Sequence, residues 1–221
     1  MATTSHARVA GLMLLVAALG FGAAVSAPDQ THIGGMWPVG LVSGVLVYVA
    51  RPAVPAVAAA LLLITVGTFV LADYPLGVAI GYAVGIVVEG LVTLQVLTVR
   101  WGYGRRLNDD LDLARFALAA LAGSFVGATV FTVVAAVTGF GLWWAVFLAT
   151  FVTHLASQLI LLALFMEEFR HPGSGGPTER WLRWAVAVLV TLAAFVPTQA
   201  PGVVFFILPV IAWAALRAPM R

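Results

Sequence analysis

The residues able to do chemistry in this chain are few, because only 9% of its 221 positions are charged and 62% are hydrophobic. Glu89 is the only acid well inside a long apolar stretch, where a charge costs several kcal/mol unless it is paired, hydrated or protonated. His154 lies near the middle of another such stretch. Thr150, Ser157 and Gln158 follow at helical spacings that place them on the same face as His154. A carboxyl group and an imidazole at mid-membrane can exchange a proton, hold an ion or bind a polar ligand. The simpler alternative is a protonated Glu89 hydrogen-bonded to a neighbouring helix, with the small polar residues serving helix-helix contacts. Both stretches should run from outside to inside, so their residues share one depth axis. Glu89 then falls between His154 and Gln158, about one helical turn (roughly 6 Å) apart.

Enzyme chemistry finds little footing. There is no cysteine, which removes thiolate nucleophiles, thiolate metal sites and disulfides. No HExxH spacing occurs, and the other histidines, His6, His32 and His171, fall at the two surfaces, so no metal and no cofactor are expected. Glu167-Glu168-Phe169-Arg170 superficially resembles the paired glutamates of intramembrane CAAX-type proteases, but the arginine spacing is wrong and the pair closes a helix. Ser124 and Ser157 lack a nucleophile elbow or an adjacent oriented base, and no phosphate-binding loop is present. The chain is expected not to be an enzyme.

The elements that must position these residues are membrane spans. A mean hydropathy of +1.08 and the shortage of charge exclude an ordinary soluble domain. With about 20 apolar residues needed to cross the hydrocarbon core, the sequence predicts an all-α bundle of eight spans. They cover 7–27, 35–50, 53–72, 75–99, 111–138, 142–166, 181–196 and 202–216, in a single transmembrane domain over 1–221. The second and eighth are the shortest, and Pro209 should kink the eighth. A cleaved leader ending near Val25-Ser26-Ala27 is the alternative for the first, although Pro28 argues against processing.

Arginines set the orientation. Arg8, Arg51, Arg100, Arg105, Arg106, Arg115, Arg170, Arg180, Arg183, Arg217 and Arg221 all fall on one side if the chain crosses eight times with both termini cytoplasmic. Their scatter between apolar runs excludes a basic nucleic-acid surface despite a pI near 9.5. Trp37, Tyr74, Trp143 and Trp144 mark the outer interface, and Trp101, Tyr103, Trp181, Trp184 and Trp213 the inner one. In the fourth span Gly77, Gly81 and Gly85 form a small-xxx-small ridge for close helix packing. Glu89 continues it, and the drift of about 40° per four-residue step leaves Gly77 at the edge of the packed face.

Four segments carry a family resemblance. Met36-Trp37-Pro38-Val39-Gly40-Leu41 has a W-P-x-x-G or W-P-x-G-type signature. Glu89 heads an apolar run ending at Arg100, and Asp112-Leu113-Ala114-Arg115-Phe116 opens the fifth span. The chain closes on Phe206-Ile207-Leu208-Pro209-Val210-Ile211-Ala212-Trp213-Ala214-Ala215-Leu216-Arg217. In this order they resemble the bacterial membrane-associated sensor domain of the first type. Trp37, Pro38, Gly40, Pro209, Trp213 and Arg217 carry the signature. The chain departs from it in the sixth span, where His154-Leu155-Ala156-Ser157 stands in place of the family's Asp-x-x-Gly.

The resemblance implies a multi-pass protein of the bacterial plasma membrane. Its function would be sensory input to a cytoplasmic output module, of the two-component or cyclic-di-GMP kind: a histidine kinase, diguanylate cyclase, phosphodiesterase or phosphatase. No output domain is read through Arg221, so the expectation is an input module of a longer chain or a stand-alone relative signalling through a partner. Expected partners are the lipid bilayer, a small-molecule ligand, the output module and a second copy in a homodimer. The alternative function is a small-molecule transporter or the membrane substrate-binding subunit of an importer.

Overall fold

The computed structural model describes residues 6–27, 38–98, 106–107 and 110–168. The chain divides into two units, Met1–Glu167 and Glu168–Arg221, and the architecture described is that of the first. The predicted seventh and eighth spans, the closing L-P-x-x-x-W segment with Pro209, Trp213 and Arg217, and Trp37 lie outside the described residues.

Among the described residues six α-helices follow one another: α1 His6–Val25, α2 Val39–Tyr48, α3 Val54–Leu71, α4 Leu76–Thr98, α5 Asp110–Thr138 and α6 Trp143–Leu161. The strands among them are two-residue segments, Arg106–Leu107 and Glu167–Glu168. Five of the described helical stretches are long and apolar enough to cross a membrane: Ala7–Val25, Arg51–Leu71, Leu76–Thr98, Leu111–Thr138 and Trp143–Phe165. They match the predicted spans to within about two residues at each end. The turns use the expected backbone: Asp73 is left-handed between α3 and α4, and Gly139 and Gly141 have positive φ between α5 and α6.

The second element differs from its prediction. In place of a helix over 35–50, α2 has 10 residues, about 15 Å or half the hydrocarbon thickness. Pro38 opens it, accepting from the amides of Leu41 and Val42. It closes where Val49 turns extended, ahead of the 3-10 turn Arg51–Ala53 that holds Pro52. Every residue from Val39 to Val47 is buried. A helix apolar all round belongs inside a bundle, and α2 sits between α4 and α6.

The neighbour pairs α4–α5, α5–α6, α6–α2 and α2–α4 close a ring of four helices, with α3 outside α4 and α1 against α3 and α2. The α4–α5 seam exchanges glycine for bulk. Gly81 and Gly85 of α4 receive Val134 and Phe131 of α5, while Gly127 and Gly123 of α5 receive Glu89 and Thr93 of α4. The partners advance on one helix as they retreat on the other, so the two are antiparallel. Gly77 meets nothing within 4 Å, as its drift from the ridge requires.

The ring is polar inside and apolar outside. Ser43, Glu89, Thr93, Ser124, Thr150, His154, Ser157 and Gln158 are buried, whereas Leu63, Leu71, Leu118, Phe125, Val137 and Leu148 are exposed. That inversion suits a lipid surround. Toward the α3–α4 and α5–α6 turns, Phe69, Tyr74, Tyr82, Phe131 and Phe140 pack as an aromatic cluster, with Tyr82 stacked on Phe131 at 4.1 Å. Burial pushes the Tyr74 phenol up to about 12, so the ring stays neutral in this cluster.

Candidate functional site

Glu89 sits 0% exposed where the four helices meet. Gly127 is what admits it: a β-carbon there would collide with the Glu89 carboxylate, and one at Gly123 with the Thr93 hydroxyl. One carboxylate oxygen, Oε2, lies 2.6 Å from His154 Nδ1, within hydrogen-bond distance. The other, Oε1, accepts from Ser124 Oγ at 3.2 Å and from Gln158 Nε2 at 3.2 Å. Three partners from two other helices therefore converge on one side chain.

Gln158 extends the network. Its Nε2 also lies 2.8 Å from Ser43 Oγ of α2 and 3.2 Å from Thr93 Oγ1 of α4. Glu89 with His154 and Thr93 with Gln158 step forward together by four residues, so α4 and α6 run parallel. They do not pack directly: α2 and α5 stand between them, and the Glu89–His154 bond spans the diagonal of the ring. The depth argument holds, since Glu89 bonds to both His154 and Gln158, but the two helices are opposite rather than adjacent.

Two predicted residues fall outside this network. Ser157 Oγ accepts from the Gly40 amide at 3.0 Å, satisfying one of the free N–H groups in the first turn of α2. Gly40 is needed there because a β-carbon would overlap the Ser157 carbonyl. Gly40 at Ser157 and Gly44 at the Phe165 ring also show that α2 runs parallel to α6. Thr150, one turn before His154, is buried with its hydroxyl unpartnered among the described residues.

Sequence reading missed Ser43, Thr93, Gly123 and Gly127, and weighed Ser124 only as a nucleophile. Helical spacing offered one usable signal: Gly123-xxx-Gly127 in the fifth span, with Ser124 beside it, complements the glycine ridge of the fourth. Hydroxyls elsewhere behave differently. Those of Thr65, Thr68, Thr132 and Thr153 donate to carbonyls one turn back in their own helices. Ser43, Thr93 and Ser124 are turned across helices instead.

Chemically, the site can hold a proton between a carboxylate and an imidazole, or bind a small positively charged species, within a shell of hydroxyl and carboxamide groups. Among the described residues no group of three or more His, Cys, Asp or Glu side chains could hold a metal ion. The fold and site define an all-helical protein, compatible with multi-pass membrane insertion, that carries a buried polar centre. Compared with known proteins, the chain matches no family model, no curated protein and no solved structure.

Proposed function

We propose that this chain is a membrane-embedded sensory input module, in which the Glu89–His154 contact is the element a signal acts on. The carrying observation is the 2.6 Å bond across the diagonal of the ring. A species that makes, breaks or neutralises it changes the spacing of α4 and α6, two parallel helices that end on the same side. A binding event biases a protein only through a difference in free energy between two arrangements, and a buried charge pair supplies a large one. The sequence resemblance to the bacterial sensor domain of the first type supports the same reading.

In this account the chain crosses the bacterial plasma membrane eight times with both termini cytoplasmic. The parallel course of α2, α4 and α6 supports the alternation. It brings Arg51 after α2, and Arg106 and Arg115 around the start of α5, to one end of the bundle. The module has no catalysis of its own, and passes its state to a cytoplasmic kinase, cyclase, phosphodiesterase or phosphatase, in the same chain or in a partner.

The test joins the chain after Arg221 to a cyclase through helical linkers lengthened one residue at a time over a full turn. Output should rise and fall with linker register, because a helix transmits rotation and displacement. Constant output across the turn, together with solute uptake by proteoliposomes holding the chain alone, would favour a carrier instead.

A further inference from the structure

Gln158 Nε2 is crowded with acceptors. Ser43 Oγ, Glu89 Oε1 and Thr93 Oγ1 lie 2.8, 3.2 and 3.2 Å from it, but a carboxamide nitrogen has only two hydrogens to give. The amide's own oxygen, Oε1, is fully buried and has no partner among the described residues. Ser124 Oγ lies 3.2 Å from the same Glu89 oxygen. Oxygens from α2 and α4 thus crowd one donor, with Ser124 of α5 on the same Glu89 oxygen, beside an acceptor that is itself unsatisfied.

Such a surplus of hard oxygen atoms around one point is the composition of an alkali-cation site, and oxygen ligands without sulfur or several imidazoles select hard ions. We propose that the polar centre binds a sodium-sized monovalent cation among Glu89 Oε1, Ser43 Oγ and Thr93 Oγ1, with the Gln158 carboxamide withdrawing to make room. Turning the carboxamide presents Oε1 as a ligand beside Glu89 Oε1, Ser43 Oγ and Thr93 Oγ1, with Ser124 Oγ within reach. The charge argues for one positive unit: Glu89 is the sole carboxylate of the site among the described residues, and a divalent ion would leave net positive charge buried in a low-dielectric interior.

This inference rests on the reading that the polar centre is the signal-responsive element, deepening it to a ligand class. The purified full chain in detergent is titrated with NaCl, KCl and choline chloride at constant ionic strength, reading thermal unfolding and equilibrium binding of radioactive sodium. Sodium should raise the melting temperature saturably, choline should not, and potassium should act more weakly. Thr93→Val and Gln158→Leu should abolish binding; if either fails to fold, the wild-type binding isotherm for sodium against potassium still decides. Equal effects of all three salts, or no saturable sodium binding, would overturn the cation site. In the cyclase fusion the two readings separate. Output that responds to Glu89→Gln but not to sodium removes the cation and keeps the sensor; saturable sodium binding with output unmoved by linker register keeps the cation and removes the sensor.

Discussion

Glu89 accepts from Ser124 and Gln158 on one carboxylate oxygen and faces His154 Nδ1 with the other. Glu89, His154 and Gln158 were legible because an acid, an imidazole and a carboxamide are costly in lipid and their depths coincide. Their partners were not, because a serine, a threonine and two glycines are ordinary in an apolar helix and acquire meaning only from the neighbour they touch. Thr150 shows the opposite error: it shares the face of His154 yet lies a turn outside the network. Ser157 has the right face but caps α2. The two roles predict different behaviour. Gly127→Ala forces the Glu89 carboxylate aside and should cost about 1–3 kcal/mol as overpacking, and it should alter whatever output the module controls. Ser157→Ala should cost about 1 kcal/mol, as loss of a capping bond, and leave output intact. Thermal unfolding in detergent and output of the cyclase fusion, measured on both variants, separate them.

Helix lengths at the element scale were readable wherever a span is a plain run of about 20 apolar residues, which is why α1 and α3 to α6 begin and end close to their expected limits. For α2 the apolar run was misleading. Hydropathy over 35–50 cannot distinguish a helix that faces lipid from one buried on all sides, and nothing in composition marks Val49 as the residue that leaves the helix. Of the glycine ridge, Gly81 and Gly85 pack on α5 and Gly77 meets nothing, and the partner was open until the α4–α5 seam showed bulk set against glycine on both helices. That exchange is testable. A β-carbon on Gly85 would lie 2.9 Å from the Phe131 ring, so Gly85→Ala should destabilise by about 1–3 kcal/mol. Phe131→Leu should recover part of that loss in the double variant, because residues in contact do not act additively. Costs that simply add in thermal unfolding would show that the two side chains do not share the seam.

On the scale of the whole molecule, the account rests on alternation: α2, α4 and α6 point one way, and Arg51, Arg106 and Arg115 lie at the end they reach. Reporter fusions after Asp73 and Gly141 should report the outside of the membrane, and fusions after Asp110 and Gly175 the inside; one robust reversal breaks the eight-span topology. The measurement that tests the central claim most directly is a double-mutant cycle on output. In the cyclase fusion, activity and folded fraction are measured for wild type, Glu89→Gln, His154→Ala and the double variant. If the contact between these two residues is the element the signal acts on, each single change shifts output without loss of folded protein, and the double variant matches a single one, because either change already removes the contact. Output changes that add, or that track only the amount of folded protein, would contradict it.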